Sequence, residues 1–363
     1  MAAKNVKTSI TMQEVAERCG VSKMTVSLAL RGDLKQVSQE TIDHIQAVAR
    51  EFGYNPGANH AARRLALKKS NQPVLNNTIG LLLWEGFYEV NYDQTLFRGV
   101  LEVLAPKYYA LVLGYIRRDV QVEDLPCAFR RDEIDAFLTC DAEFGRHLLD
   151  EMCERYGFSK RPVVSMIYQH DGCSAVVPDH RMAGYLLAHH LLSLGHRHIL
   201  HFADSGVSPF HPFALRLSGY RQAYQEMGLD SDTGLHYMHR GSQKDNLQAC
   251  AENVLRMLDA YPDITAILAP YDEYAGVLID VLSKHGKRVP EDISIVGLDD
   301  TDPALNEQSQ NILTTVRMPL LEIGRQSAEL LLQRISNEET EDITITLPVE
   351  LIKRASTCPP RIK

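Results

Sequence analysis

The sequence of 363 residues lacks the patterns that mark secreted, membrane-spanning and disulfide-linked proteins. Its N-terminus has no apolar signal region, and no apolar run approaches the roughly 20 residues that a membrane-spanning helix needs. The seven cysteines are scattered, without a Cys-x-x-Cys pair or a His/Cys spacing typical of a metal site. We therefore expect reduced thiols in a cytoplasmic protein that has no membrane partner.

The sequence also lacks the common catalytic motifs. It contains no Gly-x-Ser-x-Gly elbow, no phosphate-binding P-loop and no His-Glu-x-x-His zinc motif. The histidines between positions 189 and 201 suggest a metal cluster at first sight. However, the strand predicted from His198 onward sends successive side chains to opposite faces, so these imidazoles are expected to scatter. We expect no metal, no cofactor and no enzymatic activity.

Basic residues are concentrated at one end of an otherwise acidic chain. The formal net charge is −9, yet residues 1–70 carry 11 Lys/Arg and 6 Asp/Glu, a net charge of +5. The remaining residues carry 27 Lys/Arg and 41 Asp/Glu, a net charge of −14. A basic segment on an acidic body is typical of a protein that holds nucleic acid by one end only.

This basic segment carries the pattern of three short helices. The first predicted helix, Met12–Cys19, follows Thr11, which is a suitable N-cap in a capping box. Gly20 supplies the turn, and Ser22 caps the second predicted helix. A third helical pattern lies between positions 38 and 53. A helix, a glycine turn and a second short helix predict a helix-turn-helix, whose second helix enters the major groove of DNA.

The body of the chain alternates apolar runs of strand length with helical patterns. This alternation predicts parallel sheets covered by helices, and the number of strands suggests two such sheets. The predicted strands cover residues 78–84, 110–116, 134–140, 162–167, 198–203, 264–268, 293–298 and 343–351.

Two sets of motifs, one in the basic segment and one in the body, point to a known family. The first set is Met12-x-x-Val15-Ala16-x-x-Cys19-Gly20-Val21-Ser22-x-x-Thr25-Val26-Ser27, Ser38-x-x-Thr41 and Gly53-Tyr54-x-Pro56. The second set is Ile79-Gly80, Asp179-x-x-x-x-Gly184, Leu194-Gly195-His196-Arg197, Arg216-x-x-Gly219-Tyr220, the segment 290–300 and Leu313-Thr314-Thr315-Val316. In these motifs the chain resembles the lactose-repressor family of bacterial transcription regulators, from about residue 10 to about residue 352.

The resemblance implies a fold with three parts. These are an N-terminal three-helix helix-turn-helix headpiece (1–56), a hinge helix and linker (57–77), and an α/β two-lobed periplasmic-binding-protein-like effector domain (78–363). The effector domain is expected to contain two doubly wound parallel sheets joined by three crossovers. Its first lobe is expected at about 78–175 and 303–337, and its second lobe at about 176–302 and 338–363.

The resemblance also implies the function. We expect a homodimer that binds double-stranded operator DNA, represses rather than activates transcription, and responds to a small-molecule effector bound between the lobes. The alternative is a solute-binding protein for transport, against which the missing signal region and the basic headpiece argue.

Expected DNA contacts follow the headpiece and hinge of the family. Lys23 and Met24 open the recognition helix, and Leu28 stands where many members carry arginine, so it is expected to contact a thymine methyl instead. Leu65 resembles the leucine that wedges into the minor groove, although it lies slightly farther from Pro56 than usual. The alternative is a flexible basic linker that contacts phosphates only. The full set is Thr11, Ser22, Lys23, Met24, Thr25, Ser27, Leu28, Arg31, Tyr54, Arg63 and Leu65.

Expected effector contacts follow the positions that bind ligand in the family. Arg216 offers a fork of donors and Asp299 offers acceptors, which suits a polar small molecule; the alternative is a structural salt bridge between them. The Asp-Arg pair that commonly ends one strand in the family is here Ile167-Tyr168, and the Asn-Asp pair after a later strand is here Tyr271-Asp272, which puts a sugar in doubt. Each aromatic residue either stacks on ligand or packs in the core. The full set is Trp84, Tyr92, Tyr168, Arg216, Tyr271, Asp272 and Asp299.

Overall fold

The computed structural model describes most of the chain as two compact units, which divide between Asn76 and Asn77. Three expected DNA contacts, Arg31, Arg63 and Leu65, lie outside the described residues, as does the hinge. The described residues are 10–30, 36–54, 75–84, 90–116, 121–130, 133–140, 147–157, 160–203, 209–239, 247–336 and 341–361.

In the described part of the first unit, three helices are present: α1 (Met12–Cys19), α2 (Lys23–Leu30) and α3 (Gln39–Glu51). The predicted capping box is present, because the Thr11 hydroxyl accepts from the amide of Glu14 and the Glu14 carboxylate accepts from the amide of Thr11 at 2.7 Å. Gly20 ends α1 with a φ of 66°, the left-handed conformation that glycine adopts at least cost. The predicted helix-turn-helix is confirmed.

A small apolar core, in which Val15, Val26 and Ile45 are fully buried, holds the three helices together. Leu28, expected to contact a thymine methyl, is half-buried against this core, because α2 packs on both α1 and α3. Phe52 is 43% exposed, because it follows the last residue of α3 and leaves the helical period.

The described residues of the second unit form two six-stranded sheets. The first comprises β1 (Thr78–Trp84), β2 (Ala110–Ile116), β3 (Ala136–Thr139), β4 (Val163–Met166), β5 (Ser174–Pro178) and β11 (Thr344–Leu347). The second comprises β6 (Ile199–Ala203), β7 (Leu235–His239), β8 (Ala266–Leu268), β9 (Ser294–Asp299), β10 (Thr314–Arg317) and β12 (Glu350–Ile352). The strand order is β11-β5-β4-β3-β1-β2 in the first sheet and β12-β10-β9-β8-β6-β7 in the second. All neighbouring strands are parallel except β10 and β12.

Helices connect these strands and cover the sheets. They are α4 (Val90–Leu104), α5 (His147–Tyr156), α6 (His180–Ser193), α7 (Pro212–Glu226), α8 (Ser231–Gly234), α9 (Leu247–Ala260), α10 (Asp272–Lys284) and α11 (Leu320–Ser336), with short 3-10 turns at Ala105–Lys107 and Val122–Asp124. None of the described helices combines the length and hydrophobicity needed to cross a membrane.

The chain passes between the two sheets three times, after β5, after β10 and after β11. The doubly wound sheets and the three crossovers agree with the family resemblance. Each sheet and the helices packed on it form one lobe of the unit. The carboxyl ends of the parallel strands in such sheets are where ligands bind.

The C-terminal assignment of segments to lobes was wrong in two places. The single strand predicted at 343–351 is two strands in different sheets, because Pro348 offers no N–H to a ladder and the chain crosses over there. Strand β10, expected in the first lobe, belongs to the second sheet, and β11, expected in the second lobe, belongs to the first. The strands β5, β7 and β10 were not predicted; β10 is the four-residue run Thr-Thr-Val-Arg, too short and polar to give a strand signal.

Helices α4 and α11 pack backbone against backbone. A Cβ on Gly99 would overlap the carbonyl oxygen of Leu321, and a Cβ on Gly324 would overlap the carbonyl oxygen of Leu96. Backbone cannot yield as a flexible side chain does, so any side chain at either glycine must force the helices apart.

We expect Gly99→Ala to lower the free energy of unfolding by about 3 kcal/mol. The matched control is Gly276→Ala in α10, where an added Cβ would meet no atom within 4 Å. That substitution should raise stability by up to about 1 kcal/mol through helix propensity alone. Urea unfolding of both variants measures the difference, and equal stability of Gly99→Ala and the parent would contradict the close packing.

Candidate functional site

A cavity of about 510 Å³ lies between the two lobes at the carboxyl end of β9. Helix α4 of the first lobe contributes one polar face, and the second lobe contributes the residues that follow β9. The segment between β10 and α11 closes one side. The lining residues are Asn91, Gln94, Thr95, Arg98, Asp299, Asp300, Thr301, Arg317, Met318 and Leu320. A polar cavity at strand ends and shared by two lobes is suited to a small polar ligand.

Asp299, an expected effector contact, lines this cavity although the residue is only 7% exposed. Its φ of 104° and the φ of 59° at Asp300 place both residues in the left-handed region. Such backbone strain persists where surrounding structure holds it, often at functional sites. Here Arg317 and Arg354 hold the Asp300 carboxylate at 2.8 and 2.7 Å. Asp300 is therefore an anchor, and Asp299 is the carboxylate that the anchored turn presents to the cavity.

Asp272, also expected to contact effector, lies beneath this turn. Its carboxylate accepts from the Thr315 hydroxyl at 2.6 Å and from the amide of Thr301 at 3.1 Å. Position 297 requires glycine, because a Cβ there would overlap Asp272. The carboxylate is thus directed at β10 and the 299–301 turn, and we assign Asp272 a positioning role instead of the predicted ligand contact.

A second cluster surrounds Arg216 at the start of α7. The residue is 7% exposed, its Nε donates to the Pro212 carbonyl at 3.2 Å, and its Nη1 donates to the Pro270 carbonyl at 2.9 Å. The guanidinium carbon lies 4.5 Å from the ring centroid of Phe213. Arg216 forms no ion pair with Asp299, both being described residues, so the alternative of a salt bridge between them was wrong.

Aromatic rings continue from Arg216 toward the end of β4. The rings of His211 and Phe213 are nearly parallel with centroids 5.6 Å apart, and the Tyr168 ring lies 6.3 Å from His211. The structure thus brings Tyr168 and Arg216 into one cluster, while Asp299 lines the cavity. The sequence analysis missed His211 and Phe213; the available signal was His211-Pro212, a capping residue followed by proline at the first helical position.

His180, also missed, is the buried first residue of α6. Its Nε2 lies 3.0 Å from the carbonyl oxygen of Ile167. Burial, and then the charge of Arg216, lower the pKa of His180 to about 3, so this imidazole is neutral at physiological pH.

The remaining expected effector residues lie apart from these groups. Tyr92 is 7% exposed and packs within a hydrophobic core, which is the packing alternative. Tyr271 is half-buried before α10, with its ring 6.1 Å from that of Tyr274. Trp84 ends β1, but its side chain lies outside the described part of the structure.

In the headpiece, the start of α2 presents Lys23 and Met24 to solvent, and Met24 is 70% exposed. The Ser22 hydroxyl accepts from the amide of Thr25 at 3.0 Å and lies 2.9 Å from its hydroxyl, so these two side chains cap the helix. The other described members of the expected set are the N-cap Thr11, the half-buried Ser27 and Leu28, and Tyr54, which packs partly against the headpiece core.

The histidines considered for metal binding have separate partners. His190 lies 2.9 Å from the Thr357 hydroxyl, and His196 lies 2.8 Å from the Thr265 hydroxyl and 2.9 Å from the Cys358 carbonyl oxygen. Within the described ranges, no group of three or more His, Cys, Asp or Glu side chains is placed to hold a metal ion.

Acid should destabilise the second unit through its buried histidines. Burial lowers the pKa of His201 to about 4 and that of His180 to about 3, below the ordinary 6.5. Because the unfolded chain takes up these protons first, stability present above pH 6.5 is lost as the pH falls toward the folded pKa values. Between pH 7 and pH 5 each histidine costs roughly 2 kcal/mol.

Asp272 should oppose this loss. Burial raises its pKa from 3.8 to about 7, so the folded state takes up the proton first and gains roughly 2 kcal/mol between pH 7 and pH 5. We therefore expect Asp272→Asn to lose stability more steeply over this interval than the parent. Urea unfolding at both pH values is the measurement. Parallel pH dependences would show that the Asp272 pKa is not raised.

Comparison with known proteins identifies the two units. Residues 11–57 match the model of "Bacterial regulatory proteins, lacI family", and residues 188–357 match that of the "Periplasmic binding protein-like domain". The chain is 30% identical over 351 residues to the HTH-type transcriptional regulator CelR of Thermobifida fusca, covering 95% of this chain and 98% of that protein. It is 28% identical over 367 residues to the HTH-type transcriptional repressor CytR of Escherichia coli, covering 98% and 99%.

A solved structure of a LacI family regulator is also similar to the second unit. The crystal structure of a LacI family transcriptional regulator from Enterococcus faecium with bound ribose superposes with a TM-score of 0.66. The two chains are 28% identical, and the match covers 78% of this chain and all of that one. Together with the helix-turn-helix and the two-lobed cavity, these matches show that the chain belongs to the lacI family of bacterial regulatory proteins, which are ligand-controlled, DNA-binding transcription regulators.

Proposed function

We propose that this protein is a cytoplasmic repressor that binds a near-palindromic operator as a homodimer and catalyses no reaction. Its operator affinity is controlled by a small polar effector held between the lobes of the second unit. The observation that carries the proposal is a cavity with polar walls from both lobes, in a chain whose other unit is a DNA-binding headpiece. The relatives named above, a regulator, a repressor and a ribose-bound regulator, support it.

The geometry supplies a route by which ligand acts on the lobes. Asn91 of α4 donates from its side-chain amide to Asp302 of the second lobe at 3.0 Å, so the cavity wall already joins both lobes. A ligand that contacts α4 and Asp299 together favours one arrangement of the lobes over the other. Only such differential binding shifts an equilibrium, and here the shift changes whether two headpieces bind DNA together.

The contact residues divide between the two units. For DNA we propose Lys23 and Met24 at the start of α2 as base contacts, since they are exposed, and Ser22 and Tyr54 as phosphate contacts. For effector we propose Asp299, Arg216 and Tyr168. Cytoplasmic location is consistent with a partner that is genomic DNA.

Selection of bound duplexes from a random DNA pool tests the proposal, because the pool contains every candidate operator. We expect enrichment of a two-fold symmetric sequence, whose half-sites are centred about 34 Å apart or a multiple of that. Enrichment of an asymmetric sequence would contradict binding as a homodimer. The absence of any enrichment would contradict sequence-specific DNA binding.

Leu65 provides a separate test of the hinge. If it wedges into the minor groove, Leu65→Ala should weaken operator binding roughly 10-fold and reduce DNA bending, while ligand binding is unchanged. The matched control is Leu67→Ala, because two residues along a helix point to different sides. A permutation gel-shift assay measures affinity and bend together. Equal values for Leu65→Ala and the parent would favour a linker that contacts phosphates only.

A further inference from the structure

Arg216 is a buried cation for which the described residues supply no anion. Its guanidinium donates to two backbone carbonyls, those of Pro212 and Pro270, and its Nη2 donates to no described residue. Within the described ranges, no carboxylate lies within ion-pair distance of it. Carbonyl oxygens solvate the charge without neutralising it. Buried charges in proteins are normally paired, so an unpaired one is retained at a cost in stability.

The groups around Arg216 add positive potential. Helices α6 and α7, of 14 and 15 residues, both begin here, and the N-terminus of a helix favours anions. The Asp179 carboxylate is occupied as the N-cap of α6, where it accepts from the amide of Met182 at 2.8 Å. Among the described residues, no acidic side chain therefore offsets the guanidinium from its own side of the cluster.

His180 provides a second, independent sign that a ligand binds here. The residue is 5% exposed, and its Nδ1 is buried without a hydrogen-bond partner. Because Nε2 faces a carbonyl oxygen and must donate to it, Nδ1 of the neutral ring is an acceptor. A buried acceptor without a donor costs free energy unless a ligand supplies one. A hydroxyl group is the matching donor.

Neighbouring acids are either missing or engaged elsewhere. Strand β4 is followed by Ile167 and Tyr168, neither of which is acidic. The buried Asp272 is bonded to Thr301 and Thr315, on the side of β10. The residues that follow β4 and that begin α10 thus supply no carboxylate to Arg216.

We propose that the effector carries an oxyanion, a carboxylate or a phosphate on a hydroxylated carbon skeleton, that binds the Arg216 guanidinium. A ligand hydroxyl donates to Nδ1 of His180, and the Tyr168–His211–Phe213 row packs against the carbon skeleton. This inference rests on the proposed function, since it names the chemical class of the ligand that the same unit binds. A neutral sugar would leave the buried charge without an anion.

Matched probes that share a carbon skeleton, with or without an oxyanion, test this proposal on the full-length protein. The sets are D-glucose, D-glucuronate and D-glucose 6-phosphate; D-galactose and D-galacturonate; and glycerol and glycerate. We expect a saturable rise in thermal midpoint with at least one anionic probe and none with its neutral counterpart. The carboxylate and phosphate arms show which oxyanion is bound. A response to the neutral members alone, an equal response within a set, or no response to any anion would overturn the proposal.

Two variants test whether Arg216 is the residue that binds the anionic probe. Arg216→Met keeps the length of the side chain and removes its charge, and it should weaken binding of the active anion about 10- to 100-fold by calorimetry. Its midpoint without ligand should equal or exceed that of the parent, because an unpaired buried charge is removed. The control is Arg221→Met, an exposed position on the same helix, which should bind the anion as the parent does.

Unchanged anion affinity in Arg216→Met would also overturn the proposal. If that variant fails to fold, the comparison of neutral and anionic probes on the parent still decides the question. Failure here is distinct from failure of the proposed function, because selection of operator DNA does not depend on which ligand binds.

Discussion

Operator affinity should fall by about 10³-fold or more when the salt concentration is raised from 50 to 200 mM. Residues 1–70 carry a net charge of +5, while the rest of the chain carries −14. In the proposed dimer, two such basic segments would neutralise several phosphates, and each neutralised phosphate would release a counterion whose free energy depends on salt.

Charge-removing variants test the origin of this salt dependence. Replacing Lys68 and Lys69 by glutamine should reduce the slope of log affinity against log salt by about 2 for each protomer, because each lysine on a phosphate contributes about 1. The matched control replaces Lys284 and Lys287, at the end of α10 in the second unit, and should leave the slope unchanged. Fluorescence anisotropy with the selected operator gives both slopes. A flat response of the parent to salt would contradict DNA binding by the basic N-terminal segment.

Removal of the Asp299 carboxylate should abolish the effector response. Asp299 lines the cavity at the end of β9 and offers acceptors only, so its replacement leaves a ligand hydroxyl unpaired. Ligand affinity should fall about 10- to 100-fold. Asp299→Asn tests this role more specifically than Asp299→Ala does, because asparagine tolerates the φ of 104° better and keeps the shape of the side chain.

The effect of Asp299→Asn should be confined to ligand binding. Operator affinity without ligand should match that of the parent, since the headpiece lies in the other unit. Glu307→Gln, an exposed carboxylate in the segment that follows β9, is the control and should retain the response. Calorimetry gives ligand affinity, and anisotropy gives the operator response. Parent-like ligand affinity in Asp299→Asn would remove this residue from the site.

Local signals were sufficient to predict the headpiece. The capping box at Thr11 and the left-handed Gly20 act within a few residues, so the sequence alone states where α1 begins and ends. The alternation of strands and helices in the body is likewise a property of short windows, and it predicted two parallel sheets.

Features that depend on distant contacts escaped prediction. Pro348 separates β11 from β12, but nothing near it indicates that the two strands join different sheets. Asp272 was expected at the ligand from the family resemblance; its partners Thr301 and Thr315 are 29 and 43 residues away. The cluster of His180, His211 and Arg216 forms only when α6 packs on α7, so the sequence around each residue does not show that the three lie together.

The central claim is that one ligand controls the affinity of this protein for one operator. The most direct test is the operator dissociation constant, measured by anisotropy at fixed salt without ligand and with a saturating ligand that calorimetry has shown to bind. We expect a change of roughly 5- to 150-fold, and linkage requires that operator change the affinity for that ligand by the same factor. A ligand that binds in a manner dependent on Asp299 yet leaves the operator dissociation constant unchanged would contradict this claim.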